Sequence, residues 1–340
     1  MSYESDDFPY YRQAITFFYN GAMKGVLWMH IVKIEEVTKN FGELTAVDRM
    51  SLQIEEGEIF GLLGPNGAGK STVINMITGL FRMDKGDIFV LDKSVNKDPM
   101  FTKRNIGIVP QDIAIYEDLT SLENVKFFAG LYGLRGKKLS AAAEEALEFT
   151  GLSDQAKAFP KTFSGGMKRR LNIACAIAHK PKIIIMDEPT VGIDPQSRNH
   201  ILQSVKKLNQ SGSTIIYTSH YMEEVEEICT RIAIMDHGKV IAQGTKEELK
   251  ALITDTNVVW VTIEDSVSRI EESKIKEIPG VIHLDITDST IKITSAREVK
   301  NLGKIIQYFI GSGISIKSVE SKIPDLETVF LSLTGRRLRD

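Results

Sequence analysis

A glycine-rich run in the first third of the chain has the residue types and spacing of a phosphate-binding loop. It comprises Gly64, Pro65, Asn66, Gly67, Ala68, Gly69, Lys70, Ser71 and Thr72. Its glycines allow the backbone to curl so that successive N–H groups point inward, and a following helix would add its positive N-terminal end. The ammonium group of Lys70 supplies a point charge, and the hydroxyl of Ser71 is a ligand type that Mg²⁺ prefers. The run therefore predicts a site that holds the β- and γ-phosphates of a nucleotide together with Mg²⁺.

Two adjacent carboxylates, Asp187 and Glu188, follow a continuous apolar run over residues 183–186. Such a run is typical of a parallel strand that is buried on both faces. Its carboxyl end would present both side chains where the ligands of open α/β sheets bind. We expect Asp187 to hold Mg²⁺ through water, and Glu188 to orient an attacking water molecule or accept its proton. The alternative interpretation is an acidic turn at a strand end, just before Pro189.

A second glycine-rich segment, Ser164-Gly165-Gly166, lies between these motifs and precedes a predicted helix. A serine hydroxyl at a helix N-terminus forms an anion site, but the phosphate loop already surrounds one side of the nucleotide. The segment is therefore expected to serve a nucleotide that is held by a second copy of the protein. In order and spacing the three motifs resemble the ATP-binding cassette family. The resemblance extends from residue 31 to about residue 250.

The resemblance implies roles for four further residues. Gln111 matches the glutamine that reaches the metal and the water, and Asp194 matches the aspartate that crosses between protomers. His220 matches the switch histidine, which contacts the γ-phosphate and orients Glu188. Phe41 stands where the family stacks an aromatic ring on the adenine of ATP. Without the resemblance, the first three would be read as surface or capping residues, and Phe41 as a core residue.

Two features resemble one subgroup of the family. The segment around Ser164 has Phe163 and Met167 where the commonest form has leucine and glutamine, which resembles a variant of bacterial exporter subunits. The tail over residues 324–335 resembles the C-terminal segment of drug- and antibiotic-exporting subunits of the ABC-2 type.

The periodicity of apolar residues predicts the elements that must position these groups. Residues 31–37, 50–54 and 58–63 are predicted to form strands, and residues 71–80 have helical spacing. Residues 112–160 are predicted to be mostly helical. Together with the resemblance, this predicts an α/β fold of the P-loop NTPase class. Its cassette would contain a β-rich subdomain, a RecA-like core and a helical insertion.

The pattern changes after residue 250. Strands and amphipathic helices are predicted to alternate over residues 258–263, 267–278, 281–286, 291–294, 299–310 and 314–319. The order strand-helix-strand-strand-helix-strand predicts a small α+β domain of the ferredoxin-like type. We thus predict an N-terminal extension (1–30), a nucleotide-binding domain (31–250) and an accessory domain (251–340). The extension is expected to be poorly ordered, and an amphipathic arm is the alternative.

Composition narrows the function classes. The net charge of −3 and the shortness of the basic stretches argue against nucleic-acid binding. No apolar stretch approaches the roughly 20 residues that span a bilayer. The sequence therefore predicts an ATPase subunit that uses ATP and Mg²⁺, forms a homodimer and drives a separate integral membrane permease, with export as the expected direction. It would lie at the cytoplasmic face of the cell membrane, held there through the permease. The alternatives are a soluble cassette ATPase that acts on ribosomes or DNA, and the ATPase subunit of an importer.

Overall fold

The computed structural model describes residues 30–253, 256–264, 267, 270–287, 289–296, 299–322 and 325–335. The predicted N-terminal extension lies outside these residues, apart from His30. Within the described residues, fourteen strands form three sheets. The strands are β1 (His30–Phe41), β2 (Leu44–Glu55), β3 (Ile59–Leu63), β4 (Lys85–Val90), β5 (Lys93–Ser94), β6 (Ile106–Val109), β7 (Ile183–Asp187), β8 (Thr214–Thr218), β9 (Arg231–Asp236), β10 (Lys239–Gly244), β11 (Thr256–Ile263), β12 (Val281–Thr287), β13 (Thr290–Ala296) and β14 (Ile316–Lys322).

The α-helices of the described residues connect and cover these sheets. They are α1 (Lys70–Ile77), α2 (Pro99–Asn105), α3 (Ser121–Leu131), α4 (Gly136–Phe149), α5 (Gly165–Ile177), α6 (Pro195–Gln210), α7 (Met222–Ile228), α8 (Lys246–Leu252), α9 (Glu272–Lys276), α10 (Leu302–Gly311) and α11 (Leu326–Thr334). None of the helices in this part of the chain has the length and hydropathy that a membrane crossing requires.

The central sheet has six strands in the order β10-β9-β3-β8-β7-β6. All neighbours pair in parallel except β9 and β10. Every residue of β3 and β8 is buried, as the parallel arrangement with both faces covered requires. Because β3, β7 and β8 run in the same direction, their carboxyl ends meet at one edge of the sheet. The segments that follow these strands begin at Gly64, Glu188 and Ser219, and they are therefore brought together.

Two hydrophobic cores cover the two faces of the central sheet. One core joins the sheet to α1 and to the antiparallel sheet β2-β1-β4-β5, the predicted β-rich subdomain. The other core joins the opposite face to helices α3 to α8. The layers thus confirm the predicted P-loop NTPase fold with its β-rich subdomain and helical insertion.

The helical insertion begins later than its sequence predicted. Residues 112–120 are not helical, and α3 begins only at Ser121. Thr120 caps this helix: its hydroxyl accepts from the Glu123 amide, and the Glu123 carboxylate accepts from the Thr120 amide. This reciprocal cap stops the helix from extending toward Gln111.

The C-terminal part forms the predicted strand-helix-strand-strand-helix-strand order, from β11 to β14 with α9 and α10. The four strands form an antiparallel sheet in the order β12-β13-β11-β14, with a hydrophobic core of its own. Helix α9 covers only Glu272–Lys276, which is shorter than the predicted helix over residues 267–278.

The last helix, α11, contributes to the core of the cassette. Its buried residues Leu326, Val329 and Phe330 belong to the same cluster as the helices that cover the central sheet. The Leu326 amide donates to Glu226 Oε1 at 3.1 Å, which ties the start of α11 to α7. The chain therefore returns to the nucleotide-binding part after forming the C-terminal sheet.

Candidate active site

The phosphate loop connects β3 to α1, as predicted. Gly67 and Gly69 adopt positive φ values of 80° and 102°. A Cβ atom on Gly69 would lie 2.5 Å from the Ala46 carbonyl oxygen, and one on Gly64 would lie 2.6 Å from the Met235 carbonyl oxygen. The turn and the close approach of neighbouring backbone therefore both require glycine.

Lys70 lies at the first position of α1 with its ammonium group turned back into the loop. Its Nζ donates to the carbonyl oxygens of Gly64 at 2.6 Å and Pro65 at 3.2 Å. Burial lowers the pKa of Lys70, while the nearby carboxylates of Glu188 and Asp187 raise it. The loop thus holds a desolvated cation where a phosphate can accept the same N–H groups.

Glu188 follows β7 in a strained backbone conformation. Its φ of 49° is one that non-glycine residues rarely adopt. Two contacts to the end of β8 hold it: the Glu188 amide donates to the Thr218 carbonyl oxygen at 3.2 Å and to Thr218 Oγ1 at 2.9 Å. Strain of this kind costs about 1–3 kcal/mol and concentrates at functional sites. Here it turns the side chain of Glu188 toward the phosphate loop, where Glu188 and Lys70 line one cavity.

The Glu188 carboxylate contacts two of the predicted site residues. Gln111 Nε2 donates to Oε2 at 3.1 Å, and His220 Nε2 lies 2.6 Å from Oε1. Glu188 is only 7% exposed, although it lies in the turn at the end of β7 that the alternative interpretation described. Two side chains from two other loops therefore meet at the Glu188 carboxylate.

Asp187 lies beside this group and points along the end of β7. Its Oδ1 accepts a hydrogen bond from Thr218 Oγ1 at 2.6 Å. Burial raises the pKa of Asp187, and the neighbouring Glu188 raises it further; the Thr218 hydrogen bond and the charges of Lys70 and His220 lower it. Among the described residues, no cluster of three or more His, Cys, Asp or Glu side chains is placed to hold a metal ion. The oxygen donors of Asp187, Ser71 and Gln111 suit Mg²⁺, which keeps several waters and takes few protein ligands.

A cavity of about 730 Å³ contains most of the predicted binding residues. This volume lies within the range of about 300–1,000 Å³ that is usual for ligand sites. Predicted residues that line it are Phe41, Asn66, Gly67, Ala68, Gly69, Lys70, Ser71, Thr72, Gln111, Glu188 and His220. Lining residues that the sequence analysis missed are Leu44, Thr45, Ala46, Val191, Tyr221 and His237. Leu44–Ala46 reach the cavity because the β1–β2 hairpin returns beside Phe41, so only the hairpin could have indicated them.

Phe41 is an exposed aromatic residue at the rim of this cavity. It is 45% exposed, and its ring meets the Phe81 ring edge to face at 5.6 Å between centroids. The interpretation of Phe41 as a core residue is therefore wrong. An exposed ring beside a phosphate loop can stack on a base.

Ser164, Gly165, Gly166 and Asp194 do not line the cavity. Ser164 caps α5 by accepting from the Met167 amide at 3.3 Å, and Asp194 caps α6 by accepting from the Ser197 amide at 2.9 Å. The hydrogen bond from the Ser197 amide holds the pKa of Asp194 below its usual value. These residues adjoin one another, since a Cβ atom on Gly166 would lie 3.5 Å from Asp194 Oδ2. Ser164, Gly165 and Asp194 are exposed and Gly166 is buried, and the four residues form a second group outside the cavity that the phosphate loop lines.

Arg169 connects the helix that begins after Ser164 to Gln111, and the sequence analysis did not predict it. It is 3% exposed on α5, five residues after Ser164, and its guanidinium donates to the carbonyl oxygens of Pro110 at 2.6 Å and Gln111 at 2.5 Å. Burial lowers the pKa of Arg169. The backbone of Gln111 is therefore fixed by the helix that begins after Ser164.

Comparisons with known proteins show which proteins this chain resembles. Residues 47–191 match the family model described as "ABC transporter". The chain is 46% identical to the linearmycin resistance ATP-binding protein LnrL of Bacillus subtilis, over 91% of this chain and 100% of that protein. It is 34% identical to the daunorubicin/doxorubicin resistance ATP-binding protein DrrA of Streptomyces peucetius, over 91% of this chain and 94% of that protein. It is 33% identical to the Nod factor export ATP-binding protein I of Sinorhizobium fredii, over 91% of this chain and 87% of that protein.

Solved structures resemble the cassette part of the chain. The structure of cbiO1 from Clostridium perfringens, part of the ABC transporter complex cbiONQ, superposes with a TM-score of 0.61 at 30% identity, over 65% of this chain and 91% of that chain. A dimeric structure of the ATP-binding cassette MJ0796, in a post-hydrolysis state bound to ADP and Pi, has a TM-score of 0.58 at 31% identity. The match covers 63% of this chain and 98% of that chain.

Proposed function

The chain belongs to the ATP-binding proteins of ABC transporters, and on that premise we propose that it hydrolyses ATP to drive a separate permease in an exporter of the ABC-2 type. The observation that carries the proposal is the buried Glu188 carboxylate, which contacts Gln111 and His220 beside the phosphate loop. A carboxylate with two fixed partners, next to a cradle for phosphates, is equipped to activate water for attack on a phosphoryl group.

The residues of the cavity divide the work of hydrolysis. The loop amides and the Lys70 ammonium bind the β- and γ-phosphates, and the Phe41 ring stacks on adenine. Glu188 orients the attacking water or accepts its proton. His220 and Gln111 each hold one oxygen of that carboxylate, so Glu188 has little freedom to rotate away from the water. His220 also contacts the γ-phosphate, which links the state of the nucleotide to the position of Glu188.

Ser71, Gln111 and Asp187 would hold Mg²⁺, since they offer hydroxyl, amide and carboxylate oxygens around the same edge of the sheet. When bound there, Mg²⁺ neutralises charge on the phosphate oxygens. The partial burial of Asp187 supports this role, because a buried carboxylate is best compensated by a cation or hydrogen bonds.

A second copy of the chain completes the site. Ser164 and Gly165 are exposed and Gly166 is buried, and all three lie outside the cavity of their own chain. In a head-to-tail pair with twofold symmetry, the helix N-terminus after Ser164 would contact the γ-phosphate bound by the partner, with Asp194 crossing the interface beside it. The dimeric structure of the similar cassette MJ0796 supports the pairing of two copies.

The permease would dock on an exposed apolar surface near Gln111. Tyr116 and Phe127 are 49% and 42% exposed, and their rings meet edge to face at 5.0 Å between centroids. Ile113 and Leu131 are also exposed, at 36% and 68%, and lie three residues before Tyr116 and four residues after Phe127. A concentration of exposed aromatic residues is typical of a protein interface. The chain would thus lie at the cytoplasmic face of the membrane through its partner. The relatives named for resistance and export favour an exporter over an importer.

Co-purification tests the partner directly. The tagged full chain is co-expressed with a candidate permease, extracted in detergent and assayed for bound partner and Mg-ATPase activity. We expect the wild-type chain to retain the permease and Phe127→Asp to lose it while keeping ATP binding. Ile282→Asp is the control, since Ile282 is a 63% exposed apolar residue in the C-terminal sheet. Equal retention by both variants would contradict the proposed docking surface.

A further inference from the structure

A buried carboxylate outside the cavity joins the two loops that carry the reacting groups. Glu224 lies on α7, four residues after His220, and is 2% exposed. Its Oε2 accepts hydrogen bonds from Thr190 Oγ1 at 2.9 Å, Tyr217 OH at 2.9 Å and Ser219 Oγ at 2.7 Å. All three donors are buried as well. One oxygen atom therefore binds groups from the end of β8 and from the loop after β7.

The other oxygen of Glu224 faces α6. Arg198 Nε lies 3.4 Å from Glu224 Oε1, and the Arg198 guanidinium stands over the Tyr221 ring at 4.3 Å from its centroid. The Tyr221 amide in turn donates to Ser219 Oγ at 3.0 Å. The residues immediately before and after His220 are thus both tied to Glu224, one directly and one through Arg198.

The contacts of Glu224 also reach the segment that follows Glu188. Thr190 follows Glu188 by two residues, and Arg198 follows Asp194 by four residues on α6. Glu224 consequently fixes the loop of His220 against the segment that runs from Glu188 to Asp194. Between these two segments, His220 Nε2 lies 2.6 Å from Glu188 Oε1.

We propose that Glu224 is a positioning residue for ATP hydrolysis, which holds His220 within hydrogen-bonding distance of Glu188. This inference rests on the roles proposed above for His220 and Glu188. Burying a carboxylate is costly and an apolar side chain would fill the space, so the ion pair and three hydroxyl donors indicate a demand for fixed geometry. A small displacement of a reacting group costs far more in rate than in stability.

Steady-state kinetics of the full chain provide the first measurement. In Glu224→Gln, one side-chain oxygen still accepts hydrogen bonds, but the negative charge that faces Arg198 is lost. Glu224→Ala removes both the hydrogen-bond acceptor and the charge. We expect kcat to fall about 10-fold in Glu224→Gln and about 100-fold in Glu224→Ala, with KM for ATP nearly unchanged, because binding does not pass through Glu224. Glu223→Gln, on the exposed neighbour, is the matched control. An unchanged kcat in a folded Glu224→Gln protein, even one with a lower melting temperature, would leave Glu224 a purely structural residue and overturn the inference.

A double-mutant cycle with His220→Ala separates positioning from general damage. If Glu224 acts through His220, Glu224→Gln should lower turnover by less than about twofold once His220 is absent. Losses that multiply in the double variant would overturn the inference while leaving His220 a catalytic residue. Wild-type turnover in His220→Ala alone would overturn the proposed role of His220 and the inference with it.

A milder substitution covers the case in which Glu224→Ala does not fold. Tyr217→Phe removes one hydroxyl donor to Glu224 and leaves the buried ring in place. A fall in kcat with KM unchanged in this variant supports the inference, and unchanged kinetics in both Tyr217→Phe and Glu224→Gln overturn it.

Discussion

At the scale of single residues, the site depends on groups that are held in unfavourable states. Glu188 adopts a positive φ, and Lys70 is a buried ammonium group with a lowered pKa. Each is compensated by local hydrogen bonds: Thr218 binds the Glu188 amide, and loop carbonyls bind Lys70. Because the compensation comes from the protein itself, the groups are in place before nucleotide arrives, which is the condition for electrostatic stabilisation of a transition state.

Replacing Lys70 tests the phosphate loop. Lys70→Ala removes the ammonium group that now binds two loop carbonyls, and a phosphate would lose the same donor. We expect affinity for ATP to fall by at least about 10-fold and turnover to be lost, since hydrogen bonds between charged groups contribute about 1.5–3 kcal/mol each. Fluorescent-nucleotide titration measures the affinity, with the exposed Lys138→Ala as control. ATPase activity near that of wild type in Lys70→Ala would refute the assignment of the loop.

Most of these residues were predictable because their motifs have a local cause. A phosphate loop needs its glycines, and a carboxylate pair after an apolar strand must emerge at the edge of the sheet. The contacts among Glu188, Gln111 and His220 follow from the parallel order of the strands, which the family resemblance supplied. Arg169 and Glu224 were not predictable, because their partners are backbone carbonyls and buried hydroxyls that belong to no motif; some are distant in the chain, such as Pro110 and Thr190, and Ser219 is only five residues from Glu224. No spacing rule identifies such a partner.

At the scale of elements, the differences from prediction have local causes. The sequence over residues 112–160 predicted helix almost throughout, but residues 112–120 form an irregular segment with a turn, which buried asparagine side chains hold. Asn124 accepts from the Tyr116 amide at 2.8 Å and donates to the Tyr116 carbonyl oxygen at 2.8 Å. Asn172 accepts from the Ala114 amide at 3.2 Å. These side chains replace the hydrogen bonds that a helix would have made, and they connect the segment after Gln111 to α3 and α5.

Helix α11 shows how tertiary packing determines the role of a terminal element. Its apolar side chains are spaced as in any short amphipathic helix, so the sequence alone could not indicate whether they pack against the C-terminal sheet or the cassette. The structure shows Leu326, Val329 and Phe330 packed into the cassette core, next to α7 and α8. Since α7 follows His220 directly, α11 supports the helix that carries Glu224.

A matched pair of substitutions tests the packing of α11. Phe330 is fully buried, whereas its neighbour Leu331 is 43% exposed. Phe330→Ala should destabilise the protein by about 3–5 kcal/mol, because it removes a buried aromatic side chain and leaves a cavity. Leu331→Ala should change the free energy of unfolding by no more than about 0.5 kcal/mol.

Denaturant unfolding of both full-length variants measures the difference. The transition to follow is the unfolding of the nucleotide-binding part. It is reported by the loss of the protection that bound nucleotide gives this part against unfolding. Equal effects of the two substitutions would show that α11 does not pack as described.

At the scale of the whole molecule, the chain presents two halves of a site on separate surfaces. The phosphate loop, Glu188 and His220 line the cavity, whereas Ser164 and Asp194 do not, and Gly166 adjoins Asp194. Within one chain, Ser164 and Asp194 cap the starts of α5 and α6. In the proposed twofold pair, the two halves would meet across the interface, and hydrolysis would then depend on association.

Ser164→Arg tests this composite site. The substitution places a bulky cation at the exposed cap of α5 and leaves the phosphate loop untouched, so the monomer should bind ATP with nearly wild-type affinity. Dimerisation in ATP and hydrolysis should both be lost, because the arginine would occupy the position of the partner's phosphate contact. Ser211→Arg, at the exposed end of α6, controls for the added charge. Loss of nucleotide binding by the Ser164→Arg monomer would mean that Ser164 serves the nucleotide of its own chain.

Glu188→Gln tests both the role of Glu188 as a base and the formation of the ATP-bound dimer. The amide keeps the size of the side chain and can still contact His220 and Gln111, but it cannot act as a base. Mg-ATP binding should persist while hydrolysis falls at least about 100-fold, a loss typical of removing a general base. Since ATP held between Lys70 of one chain and Ser164 of the other stabilises the closed state by mass action, a protein that binds without hydrolysing should accumulate as an ATP-loaded dimer.

Size-exclusion chromatography with light scattering, in Mg-ATP, measures that accumulation, and turnover is determined in the same sample. Wild-type protein should remain mostly monomeric as it consumes ATP, and the double variant Glu188→Gln/Ser164→Arg should remain monomeric with ATP bound. A Glu188→Gln protein that hydrolyses at the wild-type rate would exclude Glu188 as the base. One that neither hydrolyses nor dimerises under saturating ATP would show that closure requires the permease, because the nucleotide contacts of two chains alone would then be too weak to hold them together.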